Sequence, residues 1–353
     1  MELVDFMNRE KNWKEVLAAP PYCLTFQFDG EYVLAKYQLG VSDLRLSLVQ
    51  EARGSIFVRE NGVWKCVCRA MDKFFNWGED AAATIDWASA RVLEKVDGSL
   101  IKVWYYNGWH VSTNNTIDAA KNEVADGITF RSLFDGLRYF QFDDLDTHYC
   151  YWFELVSKWN PLVVQYEEEA LYYLGCRNME TMKEESAIPP ALYWQPYPRS
   201  YNFSSLADTI AAANQLQNAE GYVVVDGNWN RIKVKGEEYL RLAHIRGNNL
   251  GATTRHLVEL WKNEQLDDFV AICPQFREEV LQFQFKVQKL VQEMDKVWNE
   301  VAATPTKKEL AAKLVGHSKI VTSYCFAQAN NKAENAVAFL QGMRQTTLEQ
   351  ILS

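Results

Sequence analysis

Glu94-Lys95-Val96-Asp97-Gly98-Ser99 places a lysine just before a β-hairpin, with an acid two residues on and a glycine beside it. Residues 100–106 then alternate apolar and polar, Asn107-Gly108 supplies a two-residue hairpin turn, and 109–113 return as the second strand. Alone, Lys-x-Asp-Gly says little. Two charges and a glycine within four residues arise by chance in many chains and read as a surface turn.

Working outward, the first two-thirds of the chain reads as strands and turns. Residues 55–58 and 63–69 flank the hairpin signal Glu60-Asn61-Gly62. Residues 151–157 and 162–166 read as strands separated by Lys-Trp-Asn-Pro, and 170–176 add another. Residues 221–225 face 231–235 across Asp226-Gly227-Asn228, and 205–217 read as a helix. Beyond about 257 the period changes. Phe276, Val280, Phe283, Val287, Val291, Met294 and Trp298 make one face of a long amphipathic helix, which Thr304-Pro305 breaks. Thr306-x-x-Glu309 is a capping box that opens the next helix. The pattern predicts an α+β fold: an N-terminal domain over 1–245, with antiparallel sheets flanked by helices, and an all-helical domain over 246–353.

The chain has 353 residues, 48% of them hydrophobic, and a formal net charge of −9. That is length enough for a packed core without disulfide or metal staples. The helical part holds 13 Lys+Arg and 12 Asp+Glu, leaving 24 and 34 before it, so the acidity lies in the N-terminal part. An acidic balance argues against bulk coating of nucleic acid, while a local basic groove is compatible with it. No apolar run is long enough for a membrane span, and the N-terminus lacks the pattern of a signal peptide. The expected setting is a reducing cytosol. Seven cysteines without framework spacing read as core thiols. Cys66-x-Cys68, on an alternating strand, is expected to put both sulfurs on one face, but no second Cys/His pair with zinc spacing accompanies it. Neither a dinucleotide-binding glycine pattern nor a P-loop is present.

What lifts Lys95 out of the background is its company, in order along the chain. Arg53-Gly54-Ser55-Ile56-Phe57 and Met71-Asp72-Lys73-Phe74-Phe75-Asn76 precede it. Phe153-Glu154-Leu155-Val156, Glu220-Gly221-Tyr222-Val223 and Arg231-Ile232-Lys233-Val234-Lys235 follow. This order resembles the covalent nucleotidyltransferase superfamily of ATP-dependent ligases and capping enzymes. The flanking strings are most similar to the phage-type RNA ligase 1 family, and the motifs cover roughly 50–245.

The resemblance implies that Lys95 attacks the α-phosphorus of ATP and becomes lysyl-AMP. AMP then passes to an RNA 5′-phosphate, and a 3′-hydroxyl seals the break. It implies catalytic roles for Lys95, Asp97, Lys233 and Lys235. Arg53, Lys73, Phe75, Gly98, Glu154 and Tyr239 would hold the nucleotide, with Glu154 on the ribose, and Glu220 and Asp97 would bind Mg²⁺ or Mn²⁺. The partner implied is RNA with 5′-phosphate and 3′-hydroxyl ends, tRNA or single-stranded RNA, after an end-healing kinase-phosphatase and without a membrane. Residues 1–245 would be the adenylyltransferase domain and 246–353 a helical RNA-recognition domain.

Physical chemistry bears on the roles separately. A free lysine has a pKa of about 10.4, so a nucleophilic lysine must shed a proton. Nearby cations favour that, and Lys233 and Lys235, two apart on a strand, project from one face with Ile232 and Val234 on the other. A solvated strand face would give the same alternation. Phe75 reads equally as core packing and Tyr239 as an aromatic at a helix start. The chain departs from the family in His110-Val111-Ser112-Thr113-Asn114-Asn115, where a lysine or arginine is expected and only His110 could carry charge. In the helical part, Lys307, Lys308, Lys313 and Lys319 are expected on one helical stretch that could meet phosphates or face solvent. Asp267-Asp268 reads as a second metal locus or, better, an acidic surface turn. The alternatives are a DNA ligase or mRNA-capping guanylyltransferase, against which the absence of barrel-like strands after Tyr239 argues, and an RNA-binding relative that has lost catalysis.

Overall fold

The computed structural model describes the chain except residues 39, 40, 126, 160–162, 165, 167, 186, 263, 264 and 334, and the side chains of 244–250, 268, 271 and 272. The chain forms two compact units, Met1–Phe26 with Glu31–Arg246 and Gln27–Gly30 with Gly247–Ser353.

The strands are β1 (Thr25–Asp29), β2 (Tyr32–Lys36), β3 (Arg53–Glu60), β4 (Val63–Cys68), β5 (Phe75–Asn76), β6 (Arg91–Lys95), β7 (Ser99–Tyr105), β8 (Trp109–Ser112), β9 (Glu123–Ala125), β10 (Ile128–Thr129), β11 (Tyr149–Val156), β12 (Ala170–Asn178), β13 (Glu184–Glu185), β14 (Ser200–Tyr201), β15 (Gly221–Val225) and β16 (Arg231–Lys235). One sheet runs β1-β2-β3-β4. A second runs β13-β12-β11-β7-β8 and a third β14-β6-β15-β16-β5, with β9 and β10 as a separate ribbon. β5 lies parallel to β16, and the other pairings of the third sheet are antiparallel.

Alternation on β7 and β11 builds two cores at once. Ile101, Val103, Tyr151, Phe153 and Leu155 pack with Phe130, Leu133 and Phe134 from helix α1 (Phe130–Leu137). The opposite faces of the same strands carry Trp104, Cys150 and Trp152, which meet Ile56, Val58 and Cys68 of the first sheet. Burying such aromatics contributes roughly 2–3 kcal/mol each, and β11 reads as nearly continuous apolar sequence because it is covered on both faces.

Turn chemistry holds the hairpins in place. Asn61 and Gly62 both have positive φ, 50° and 85°, as do Asn107 and Gly108. Between β15 and β16, Asp226 accepts from the backbone N–H groups of Asn228 and Asn230 and from that of Asp86. Glu184 joins the second and third sheets: its carboxylate lies 2.7 Å from Arg177 on β12 and 2.5 Å from Arg231 at the head of β16. All three groups are nearly buried.

Several expectations need correction. The strand expected over 162–166 lies partly outside the described residues. Where the chain is described there, Val163, Val164 and Tyr166 are not in a strand, because the amides of Val163 and Val164 donate to the carboxylate of Asp97 instead of to a ladder. Cys66 and Cys68 do not share a face. The β3–β4 register shifts between Ile56 and Phe57, so Cys66 packs with Phe57 and Leu24 while Cys68 packs with Ile56 and Trp152.

In the second unit the long helix α2 (Arg277–Val301) buries Val280, Phe283, Val287 and Met294, then Val297 and Val301 rather than Trp298, so the buried face keeps the seven-residue spacing of 280, 287, 294 and 301. Tyr324 donates from its hydroxyl to Asp295 at 3.1 Å. Thr306 caps α3 (Lys307–Lys313), its hydroxyl accepting the N–H of Glu309. Lys319 is not on that helix. It begins α4 (Lys319–Ala329) with Ser318 as its N-cap, past Gly316 at φ 94°. Of the Asp267-Asp268 pair, the Asp268 side chain lies outside the described residues, and Asp267 is helical rather than in a turn. Among the described residues, no helix is long and apolar enough to cross a membrane.

Candidate active site

Lys95 ends β6 in the third sheet and Ser99 begins β7 in the second, so Val96-Asp97-Gly98 is the bridge between them. The bridge is tight. A Cβ on Gly98 would stand 2.4 Å from the carbonyl oxygen of Leu155, so this position admits only glycine without movement. The Gly98 N–H in turn donates to Glu154 Oε1 at 3.2 Å.

Register aligns the charged groups. Lys95, Gly221 and Lys235 lie side by side across β6, β15 and β16. Glu220, one residue before Gly221, is 1% exposed and is shared by two ammonium groups. Lys95 Nζ is 2.5 Å from its Oε2 and Lys235 Nζ 3.1 Å from its Oε1. The two lysines are thus brought together with a carboxylate compensating them.

Asp97 is buried and its carboxylate is heavily used. Oδ2 accepts from the backbone N–H of Val163 and Val164 at 3.0 and 2.9 Å, and Oδ1 accepts from the hydroxyl of Tyr239 at 3.2 Å. Its own N–H donates to Tyr166 Oη at 2.9 Å. Burial, with the charge of Glu220, still pushes Asp97 up to about 7. Burial likewise raises Glu154 to about 7; Lys95 opposes the shift, while Glu220 and Asp97 add to it. The three carboxylates therefore feel one another in a dry environment.

The remaining cations surround an aromatic ledge. Arg53 and Lys233 both lie over the ring of Phe74, at 5.9 and 5.4 Å from its centroid. Lys73 lies 5.9 Å from the ring centroid of Phe75 and 5.5 Å from that of Tyr37. β5 brings this ledge in, since Phe75 is paired with Ile232 and Asn76 with Lys233. Phe75 is buried, and Lys235 approaches the Tyr239 ring at 5.2 Å. Lys95, Asp97, Gly98, Glu154, Glu220, Lys235 and Tyr239 are joined by direct contacts, and Arg53, Lys73, Phe75 and Lys233 form the neighbouring ledge. Sequence reading missed Phe74, the Val163 and Val164 amides and Tyr166. Phe74 had a signal in its neighbour Phe75; the others sit in a loop with no motif of its own.

The donor set suits a hard divalent cation. Asp97, Glu154 and Glu220 supply oxygen ligands whose mutual repulsion a cation would relieve. Among the described residues, no three His, Cys, Asp or Glu side chains enclose a metal by themselves.

A family model described as RNA ligase matches residues 51–240. A protein of Autographa californica nuclear polyhedrosis virus, whose name describes a candidate bifunctional polynucleotide kinase/RNA ligase, is 32% identical over 70% of this chain and 38% of its own length. This chain thus spans well under half of that relative. The RNA ligase of Rhodothermus phage RM378 is 27% identical, over 71% of this chain and 72% of its own. Among solved structures, an archaeal ATP-dependent RNA ligase aligns at 13% identity with a TM-score of 0.43, covering 81% of this chain and 78% of that one.

Proposed function

Because the chain belongs to the phage-type RNA ligase 1 family, we propose that it uses ATP and a divalent metal to join RNA 5′-phosphate and 3′-hydroxyl ends, with Lys95 as the adenylated nucleophile. The observation that carries this reading is the shared carboxylate. A lysine at the strand end that leads into the bridge between two sheets, held by a buried glutamate beside a second lysine, is built for a charge change at its Nζ.

In the first step Lys95 releases its ammonium proton to solvent, the Nζ lone pair forms a bond to the α-phosphorus, the bond to the leaving pyrophosphate breaks, and a second Nζ proton leaves to solvent. Lys235, freed of its share of Glu220, meets the equatorial charge on the α-phosphate. Gly98 gives the backbone room to approach and keeps Glu154 oriented through its N–H, which supports Glu154 as the ribose contact. In the second step an oxygen of the RNA 5′-phosphate displaces Lys95 from the α-phosphorus. In the third, the 3′-hydroxyl oxygen attacks the activated 5′-phosphorus and AMP leaves. Mg²⁺ is the ion assigned, with Glu220 and Asp97 as the residues that would hold it; it would neutralise phosphate charge.

Further parts of the reading are finer. The second, helical unit is assigned to RNA recognition, with broken tRNA as a substrate in the cytosol. The baculovirus relative's name couples a ligase with a polynucleotide kinase, which supports an end-healing activity acting upstream. Among the described residues no strand follows Lys235, so nothing there favours the β-barrel of DNA ligases and capping enzymes. The test is sealing of a 5′-labelled RNA strand with ATP and Mg²⁺, run beside the same strand as DNA and beside GTP. Closure of RNA with ATP supports the reading; closure of DNA alone, or dependence on GTP, overturns it.

A further inference from the structure

Five aromatic side chains among the described residues are more than half exposed, and four of them belong to one patch: Tyr139 at 66%, Tyr193 at 60%, Trp194 at 85% and Tyr197 at 52%. Rings of this size gain by burial, and a patch of them left in water marks a surface for contact. Among the described residues, none of the four is paired with another aromatic ring, and none of the three tyrosine hydroxyls has a hydrogen-bond partner.

The backbone beneath these rings is fixed. Pro189, Pro190, Pro196 and Pro198 are four of the chain's nine prolines, and each locks a φ angle. Leu192 is fully buried in the same core as Phe134 and Tyr173. Gln195 is buried, and its side chain ties three segments together. It accepts the N–H of Tyr139 at 2.9 Å and donates to the carbonyl oxygens of Leu137 and Leu171 at 3.2 and 2.6 Å. The Pro196 carbonyl accepts the N–H of Tyr173 at 2.6 Å. The anchors are inside, and the rings between them are held in water by a chain with little freedom left to lose on binding.

The same segment leads into the active site. The Arg199 carbonyl accepts the N–H of Glu94 at 2.8 Å, and Ser200 is the cross-strand partner of Leu93. Lys95 follows Glu94. Trp194 is five residues before Arg199, a span of at most ~18 Å. Tyr172, beside Tyr173 on β12, is the cross-strand partner of Glu154, so those two side chains share a sheet face. The charges of Glu94 and Arg199 both act on the Tyr172 hydroxyl, so the guanidinium stands near this ring. Arg199 is exposed and lies in no ion pair among the described residues. Arg138, next to Tyr139, is by contrast matched by Asp135 at 3.2 Å.

We propose that Tyr139, Tyr193, Trp194 and Tyr197 form a platform on which unpaired bases of the RNA strand stack, with Arg199 meeting the strand's backbone between the platform and the active site. The inference rests on the ligase reading, which supplies the ligand. Every base has a π-face, so stacking on a ring needs no particular sequence, and bases already paired in a duplex have their faces covered. A chain of net charge −9 gains little from long-range attraction to phosphates, and ring contacts do not depend on it. The platform therefore selects single strands over duplexes.

The test uses the full chain with Trp194→Ala, Trp194→Phe, Trp194→Ala combined with Tyr193→Ala, and Arg199→Met. Anisotropy of a 3′-labelled RNA in EDTA gives Kd without catalysis, for an unstructured strand and for the same strand in a blunt duplex. Adduct formation with ATP, which involves no RNA, is the control for the ring variants. Trp194→Ala should weaken single-strand binding about tenfold and the double variant more, with duplex binding and adduct formation near wild type, and Trp194→Phe should recover most of the loss. Arg199→Met should lower the slope of log K against log salt by ~0.7. Wild type that binds no single strand, or a single-strand Kd unchanged in the double variant, would overturn the platform; the second result would leave the patch to a protein contact. An equal loss for the duplex, or a loss of adduct formation in the ring variants, would overturn it too. If wild type forms no adduct, the ligase reading fails, while weaker single-strand binding in Trp194→Ala still establishes the platform. The replaced rings lie mostly in water, so thermal melts of these variants should match wild type.

Discussion

Replacing Asp97 with asparagine should make the free protein more stable at pH 8 while removing its activity. Asp97 is 4% exposed and titrates near 7 against an ordinary value of 3.8. The cause is burial first, then the charge of Glu220. The gap of ~3 units is worth about 4 kcal/mol at ~1.36 kcal/mol per unit. Its sign follows from proton counting. The folded carboxyl holds its proton more tightly than the unfolded one, so no penalty exists well below pH 3.8. The penalty grows as pH rises and is complete above about 7. It amounts to roughly 1.5 kcal/mol at pH 5 and about 4 kcal/mol at pH 8. Asparagine keeps an oxygen for the Val163 and Val164 amides and turns its NH₂ toward the Tyr239 hydroxyl, so the contacts survive and the penalty does not. The stability gain over wild type should therefore be larger at pH 8 than at pH 5 by ~2–3 kcal/mol, or roughly 5–10 °C in melting temperature for a unit of this size. Scanning calorimetry at both pH values checks it. A destabilised Asp97→Asn protein at pH 8, or a difference from wild type that does not vary with pH, would refute the reasoning.

Other variants test separate parts. Gly98→Ala should cost roughly 1–3 kcal/mol and disable nucleotide transfer, because the added methyl meets the Leu155 carbonyl at 2.4 Å; a melt and an ATP-labelling assay check both. Glu184→Gln leaves Arg177 and Arg231 buried without their anion, and denaturant unfolding should show a loss of ~3–5 kcal/mol. Lys235→Met should retain the fold, since Glu220 keeps Lys95, yet slow adduct formation on the order of 10²-fold; near-normal labelling would remove Lys235 from the chemistry.

Much of this arrangement was legible because strand alternation and chemistry coincide. Gly221–Val225 and Arg231–Lys235 are strands with the expected bounds, and Lys233 and Lys235 face one way because Ile232 and Val234 must face the other. Hairpins announced by Asn61-Gly62 and Asn107-Gly108 follow from backbone sterics, which local sequence controls. What was hidden depended on long-range register. Cys66 and Cys68 part company because of a bulge that no spacing rule reveals. Val163 and Val164 look like strand residues until Asp97 claims their amides. Glu220 was read as a metal ligand; its grip on Lys95 and Lys235 was invisible because a contact between residues 95 and 220 has no local signature.

The central claim is that the Nζ of Lys95, which sits against Glu220, takes up AMP. The direct measurement is the intact mass of the purified chain before and after ATP with Mg²⁺, beside Lys95→Ala. The account predicts a gain of one AMP that pyrophosphate reverses and that Lys95→Ala lacks. An adduct that persists in Lys95→Ala, or none in wild type with ATP, would contradict it.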